Sequence, residues 1–230
     1  MTFAAATSSE PTGTPTAIQA NLAKVQLTVE ERRQIPSVGA RLVAVSKTKP
    51  AADVQQAYDA GQRHFGENYV QELVEKSETL PRDIRWHYIG QLQSNKSKAL
   101  AAKRASVLNN ACSDRPEPLN VFIQVNTSSE ENKGGVSPDA CHELAIHITT
   151  QCPHLHLLGL MTIGSVEHSG QVPNPDFARM QALQRTLSQA LGCPLELSMG
   201  MSHDYAHALD MGSTNVRVGS HIFGGRPKKS

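Results

Sequence analysis

The chain has no excess of either charge. Its 230 residues carry 22 Lys and Arg against 21 Asp and Glu, a net of +1, and both signs are spread along the sequence. Such a balance supplies no field for drawing in nucleic acid or an anionic membrane, so a small-molecule partner is expected. Cysteines are few and far apart: Cys112, Cys141, Cys152 and Cys193 contain no C-x-x-C pair. That removes the common zinc and dithiol motifs and leaves reduced thiols of an intracellular protein as the expectation. No apolar run reaches the length of a membrane span. No secretory signal accompanies the glycosylation triplets Asn95-Lys96-Ser97 and Asn126-Thr127-Ser128, which therefore carry no weight. The first basic residue is Lys24, and the opening fifteen residues are rich in Ala, Thr, Ser and Pro, with Glu10 among them. A transit peptide is arginine-rich and acid-poor, so residues 1–15 read as a disordered tail ahead of one domain over 16–226. The expected compartment is the cytoplasm, a mitochondrial pool also being compatible. The expected state is a monomer, with a weak dimer as the alternative.

What is present is an alternation of short strands with helices. Ile18, Leu22, Val25 and Val29 keep helical spacing and give an N-terminal helix. Strand 42–46, helix 51–60 stopped by Gly61, strand 63–66, helix 68–79 with the stripe Val70, Leu73 and Val74, strand 85–90 and helix 94–103 follow. Then come strand 121–126, a helix capped by Ser137-Pro138, strand 155–162 and a helix opened by Asn174-Pro175 and closed by Gly192. Strand 195–199, a short helix 203–211 and strand 215–219 end the series. Strands separated by helices pair in parallel, because each crossover returns the chain to the same end. The expected fold is α/β, TIM-barrel-like, with an added N-terminal helix. Seven strands are counted where a closed barrel needs eight. One βα unit is missing between Leu100 and Val121, a stretch that offers helix and loop but no β-branched alternation.

Lys47 lies just past the apolar run Leu42-Val43-Ala44-Val45-Ser46 and ahead of the next helix. Its amine is therefore expected at a strand's carboxyl end, where a βα-repeat protein keeps its chemistry. Partial loss of hydration there lowers an ammonium pKa and frees the amine to form a Schiff base, although many strand-end lysines are simply solvated. Two later segments have the form of anion grips. In Ser198-Met199-Gly200-Met201-Ser202-His203-Asp204 a strand ends at glycine, with Ser202 in the N-cap position of the following helix. In Val216-Arg217-Val218-Gly219-Ser220 the last strand delivers Gly219 and Ser220 where backbone can approach a ligand closely. Either segment alone could be ordinary capping. Closure places the last strand beside the first, so an amine and both grips would ring one mouth, an arrangement suited to pyridoxal phosphate.

The segments Leu42–Pro50, His64-Phe65-Gly66-Glu67-Asn68-Tyr69-Val70-Gln71-Glu72, Trp86-His87-Tyr88-Ile89-Gly90-Gln91-Leu92-Gln93, Gly159-Leu160-Met161-Thr162-Ile163-Gly164, Glu196–Ser202 and Val216–Ser220 resemble the pyridoxal phosphate homeostasis protein family in its eukaryotic form. That family is similar to the barrel domain of alanine racemase, fold type III. The resemblance implies that Lys47 holds pyridoxal 5′-phosphate (PLP) as a Schiff base and that Ser202, Gly219 and Ser220 hold the phosphate. It also implies that Arg217 lies near the ring or phosphate and that Asn68 and Met161 line the pocket. Relative to the family pattern, the absent strand and helix start between Leu100 and Lys103 are a deletion. The implied function is a non-catalytic carrier that sequesters PLP and delivers it to PLP-dependent apoenzymes.

Racemization would need a second base on the far face of the cofactor, and the tyrosines Tyr58, Tyr69, Tyr88 and Tyr205 sit in no segment with an evident catalytic role. A PLP-dependent racemase-like enzyme remains one alternative. Another is a lyase or aldolase that uses Lys47 without PLP, with Glu67 moving the proton; Glu67 also fits a helix-start acid favoured by the macrodipole. His203 and His207, with Asp204 beside them, have a spacing that can ligate zinc, but H-E-x-x-H is absent and no metal is expected.

Overall fold

The computed structural model of the protein describes residues 14–33, 39–90, 98–128 and 134–225. The tail expected over 1–15 falls almost wholly outside these residues, as do the first positions of the helix expected at 94–103. Seven strands form one parallel sheet: β1 (Arg41–Val45), β2 (His64–Glu67), β3 (Arg85–Tyr88), β4 (Leu119–Gln124), β5 (Leu155–Met161), β6 (Glu196–Ser198) and β7 (Asn215–Val218). Their order is β3-β2-β1-β7-β6-β5-β4. The first strand does pair with the last, Arg41 opposite Asn215 through Ala44 opposite Val218. The sheet ends on β3 and β4, the two strands flanking the expected gap, and among the described residues no strand lies between them. The fold is a TIM-barrel-like α/β half-barrel, with seven strands among the described residues.

Helices α1 (Ala17–Arg32), α2 (Ala51–Asp59), α3 (Val70–Thr79), α4 (Lys98–Ala111), α5 (Pro138–Gln151), α6 (Pro175–Leu191), α7 (Tyr205–Asp210) and α8 (Ser220–Phe223) fill the connections. Local chemistry sets their ends. Ser137 accepts the Ala140 N–H and Asn174 accepts those of Asp176 and Phe177, each ahead of a proline, while Gly192 takes the left-handed conformation that closes α6. α4 occupies the gap region and is fastened to α5 by Ser106 and His147 at 3.0 Å.

Alternate strand residues face the helices. Leu42, Ala44, Phe65, Val216 and Val218 pack with Leu22, Val25 and Val29 of α1 and with Val54 and Ala57 of α2. Ile123, Leu157, Leu160 and Leu197 pack with α5 and α6. Each fully buried Leu or Val contributes roughly 1.5–3 kcal/mol. By the two-residue period the remaining positions point inward, and they include Arg41, His64, His87, Glu196, Ser198, Asn215 and Arg217. One helix departs from its expected pattern. In α3 the stripe Val70, Leu73 and Val74 does not form the buried face: Val70 is 61% and Val74 41% exposed, and the buried residue is Lys76. The sheet supplies an ion-pair partner, Glu67, for Lys76 at that point, and α3 itself supplies Glu72; these outweigh the pull of two valines.

Candidate functional site

A cavity of ≈ 330 Å³ opens at the carboxyl ends of the strands and is lined by Lys47, Ser202, Arg217, Gly219 and Ser220 together with neighbours such as Val45, Ile89 and His203. These residues follow or end β1, β3, β6 and β7, so the parallel sheet brings them together from distant parts of the chain. Asn68 and Met161 are not among the lining residues. Met161 ends β5 opposite Ser198 and so shares its inward face. Asn68 follows β2, half-buried, with a buried Oδ1 that accepts no hydrogen bond among the described residues.

The turn carrying Lys47 is tightly specified. The buried Ser46 donates its N–H to Gly66 O at 3.0 Å, and its carbonyl accepts from Lys49 N at 3.1 Å. Thr48 adopts φ 62°, a left-handed conformation that β-branched residues rarely take. Lys49 is committed elsewhere: its Nζ donates to the carbonyls of Phe223 and Gly225, both at 2.8 Å, closing the end of α8. Behind the turn, Glu67 is the last residue of β2 and fully buried, not a solvated acid at a helix start. Its Oε1 accepts from Ser46 Oγ at 2.6 Å and from Lys76 Nζ at 2.8 Å. Burial pushes the Glu67 carboxyl above its ordinary pKa, against the pull of Lys76 and Ser46.

The other end of the cavity is built from backbone and hydroxyl groups. Ser202 does not cap the short helix as its position in sequence implies. Asp204 is the N-cap of α7, after a turn in which Tyr205 N–H reaches Met201 O, while Ser202 Oγ accepts the Gly219 N–H at 3.2 Å. A Cβ on Gly219 would lie 3.2 Å from the Val45 carbonyl oxygen, a tight contact that a glycine avoids where the last strand meets the first. α8 begins directly after it, and the first N–H groups of a helix have no intrahelical acceptor. Arg217 is buried beneath. It donates to Ser198 Oγ at 2.7 Å, Ser198 O at 3.0 Å and Thr162 O at 2.8 Å, tying β7 to the ends of β6 and β5. Burial lowers its pKa to about 10, which leaves the guanidinium cationic at neutral pH. The two histidines considered for zinc are engaged separately: His207 Nε2 accepts the Asn174 N–H at 3.1 Å, whereas His203 lines the cavity.

An amine, a hydroxyl, backbone donors around a glycine and a buried guanidinium on one cavity fit a small anionic carbonyl compound. Residues 15–227 match the family described as alanine racemase, N-terminal domain. A pyridoxal phosphate homeostasis protein of Schizosaccharomyces pombe is 50% identical over 200 residues, covering 81% of this chain and 84% of that protein. The Homo sapiens protein of the same name is 46% identical over 239 residues, covering 93% and 87%. The chain belongs to the pyridoxal phosphate homeostasis protein family. The structure of PipY from Synechococcus elongatus, solved with PLP bound, superposes with a TM-score of 0.72 at 31% identity, covering 90% of this chain and all of that one. Reading this family member from its sequence alone misses Lys76 and Glu72 as parts of the Lys47 surroundings. The one signal in the sequence is Lys76 at i+4 from Glu72, a spacing that reads as a surface pair.

Proposed function

We propose that this protein is a non-catalytic carrier of PLP, with Lys47 as the covalent attachment point. The observation that carries the reading is that Lys47 and the Ser202, Gly219 and Ser220 group line one cavity with a buried cation, Arg217, in its wall. When bound, PLP supplies an electrophilic aldehyde carbon and a chromophore. The Lys47 amine would be the nucleophile that takes up this aldehyde as a Schiff base, with the carbonyl oxygen released as water. No oxidant or reductant is needed. The Ser202 hydroxyl, positioned by the Gly219 N–H that it accepts, and the backbone at Ser220 would hold the phosphate, with Arg217 adding positive charge close by.

The cavity lining supports a carrier over an enzyme. It contains none of the tyrosines Tyr58, Tyr69, Tyr88 and Tyr205, and the nearby acids Glu67 and Glu72 are both engaged by Lys76. A cavity so equipped retains a reactive aldehyde away from other amines until an apoenzyme takes it. Among the described residues no helix is long and apolar enough to cross a membrane.

Titration of the purified protein with PLP is expected to produce an absorbance band in the Schiff-base region. Borohydride reduction should then fix the label on Lys47, and Lys47→Ala should abolish both. Modification chiefly at Lys49 or at scattered surface lysines would defeat the assignment. Racemization of alanine well above the rate with free PLP would make the protein an enzyme, and a colourless protein that cleaves carbonyl substrates would favour the aldolase.

A further inference from the structure

Behind Lys47 lies a cluster that fold stability alone does not explain. Lysine is almost never fully buried unless paired, yet α3 buries Lys76 to 6% exposure while turning Val70 and Val74 out to solvent. All three ammonium donors are used: Glu67 Oε1 at 2.8 Å, Ser46 O at 3.0 Å and Glu72 Oε2 at 3.1 Å. The same Glu72 oxygen accepts the Thr48 N–H at 2.8 Å, and Glu67 accepts from Ser46 Oγ at 2.6 Å. The residue before Lys47 is thus gripped by hydroxyl and carbonyl, and the residue after it by its amide. Thr48 is held in a left-handed conformation at the same point. Glu67 Oε2 is buried and accepts no hydrogen bond among the described residues. An apolar side chain at 76 with an apolar partner at 67 would pack this space without desolvating two charges. Retention of the ions therefore points to geometry, and the geometry they fix is that of the Lys47 turn.

We propose that Glu67, Lys76 and Glu72 form a positioning triad that sets the backbone on both sides of Lys47 and thereby directs covalent capture of PLP to that amine in preference to Lys49. This rests on the carrier reading above and assigns residues that would not touch the cofactor. Glu72 stays charged in this role, since burial pushes its carboxyl up but the Thr48 N–H and Lys76 together hold it below its ordinary pKa.

The test compares three full-length proteins, wild type, Glu72→Ala and the pair Glu67→Leu with Lys76→Met. Each is mixed with PLP, followed by absorbance, quenched with borohydride at timed intervals, mapped for modified lysines and melted in parallel. Glu72 is half-exposed on a helix, so its alanine variant keeps the fold. The paired variant removes both buried charges together and melts near the wild type. In both variants capture at Lys47 is expected to slow by about tenfold or more, because small misplacements of a reacting group are costly, and the share of label on Lys49 is expected to rise. A structural role alone would move melting temperature and leave the Lys47 to Lys49 ratio as in the wild type. Wild-type label on Lys47 with undiminished capture in folded variants overturns the triad and spares the carrier. Absence of Lys47 label in the wild type overturns the carrier reading and the triad with it.

Discussion

Thr48 sits at φ 62°, where the Cβ of an L-residue crowds its own backbone at roughly 1–2 kcal/mol. Exchange for glycine removes that strain and returns part of it as unfolded-chain entropy, so Thr48→Gly is expected to gain up to about 1 kcal/mol in urea unfolding. A loss of that size would show the turn to be unstrained. Gly200 is the reverse case. With φ +95° and a Cβ position 2.5 Å from Ala208 Cβ and 2.9 Å from Tyr205 Cα, it has neither the conformation nor the space for a side chain. Gly200→Ala is expected to cost on the order of 3 kcal/mol. It should also weaken PLP binding, since the turn it makes carries Ser202 and its carbonyl accepts the Arg217 N–H at 3.1 Å; an unchanged urea midpoint would refute this. At this scale the sequence reveals residues whose type announces their role, such as a strand-end lysine or a glycine after a strand. It conceals Lys76, because a lysine on an amphipathic helix looks like a solvated face until the buried Glu67 is placed beneath it.

The alternation of strands and helices is legible because each element carries its own period and caps: the stripe Leu22, Val25 and Val29 is buried as expected, and Ser137 and Asn174 cap as expected. α8 is not legible, since four residues are too few to show a period, and it exists because Gly219 and Lys49 hold its two ends. The missing strand is readable as an absence, and among the described residues β3 has one neighbour, β2. An edge strand whose residues are all at least partly exposed opens more readily than one paired on both sides. Amide hydrogen exchange is expected to be slowest in β1 and β7 and at least about tenfold faster in β3. Equal protection across these strands would mean that another segment covers the free edge.

Among the described residues the two apolar clusters lie outside the sheet, and the inward face of the strands carries polar and charged groups beside a few apolar ones such as Val43 and Val45. Arg41 makes a bidentate pair with Glu196 at 2.7 and 3.1 Å, and His64 Nδ1 meets His87 Nε2 at 2.8 Å. Burial, with Arg41 and other neighbouring cations adding to it, lowers both histidines to about 4. A histidine kept neutral in the folded state acts only where the unfolded chain can take a proton that the fold refuses. Above the ordinary histidine pKa of about 6.5 both states are neutral and nothing is lost. As pH falls from there toward 4 the unfolded chain gains protons first, so stability drops, and below 4 the loss levels off. The shifts correspond to roughly 3 kcal/mol per ring, but solvent reaches both side chains and a single proton can lie between them, so the pair is expected to lose on the order of 3 kcal/mol in total. Glu67, raised by burial, works in the opposite sense, while Glu72 and Asp176, both lowered, add to the acid loss. The wild-type slope therefore mixes several groups, and a second protein must isolate the rings. Urea midpoints between pH 7.5 and 4.5 should fall markedly less in a His64→Asn and His87→Gln pair, whose amides can bridge without titrating. If both proteins lose stability in parallel, the histidines inside the barrel are not its acid-sensitive element.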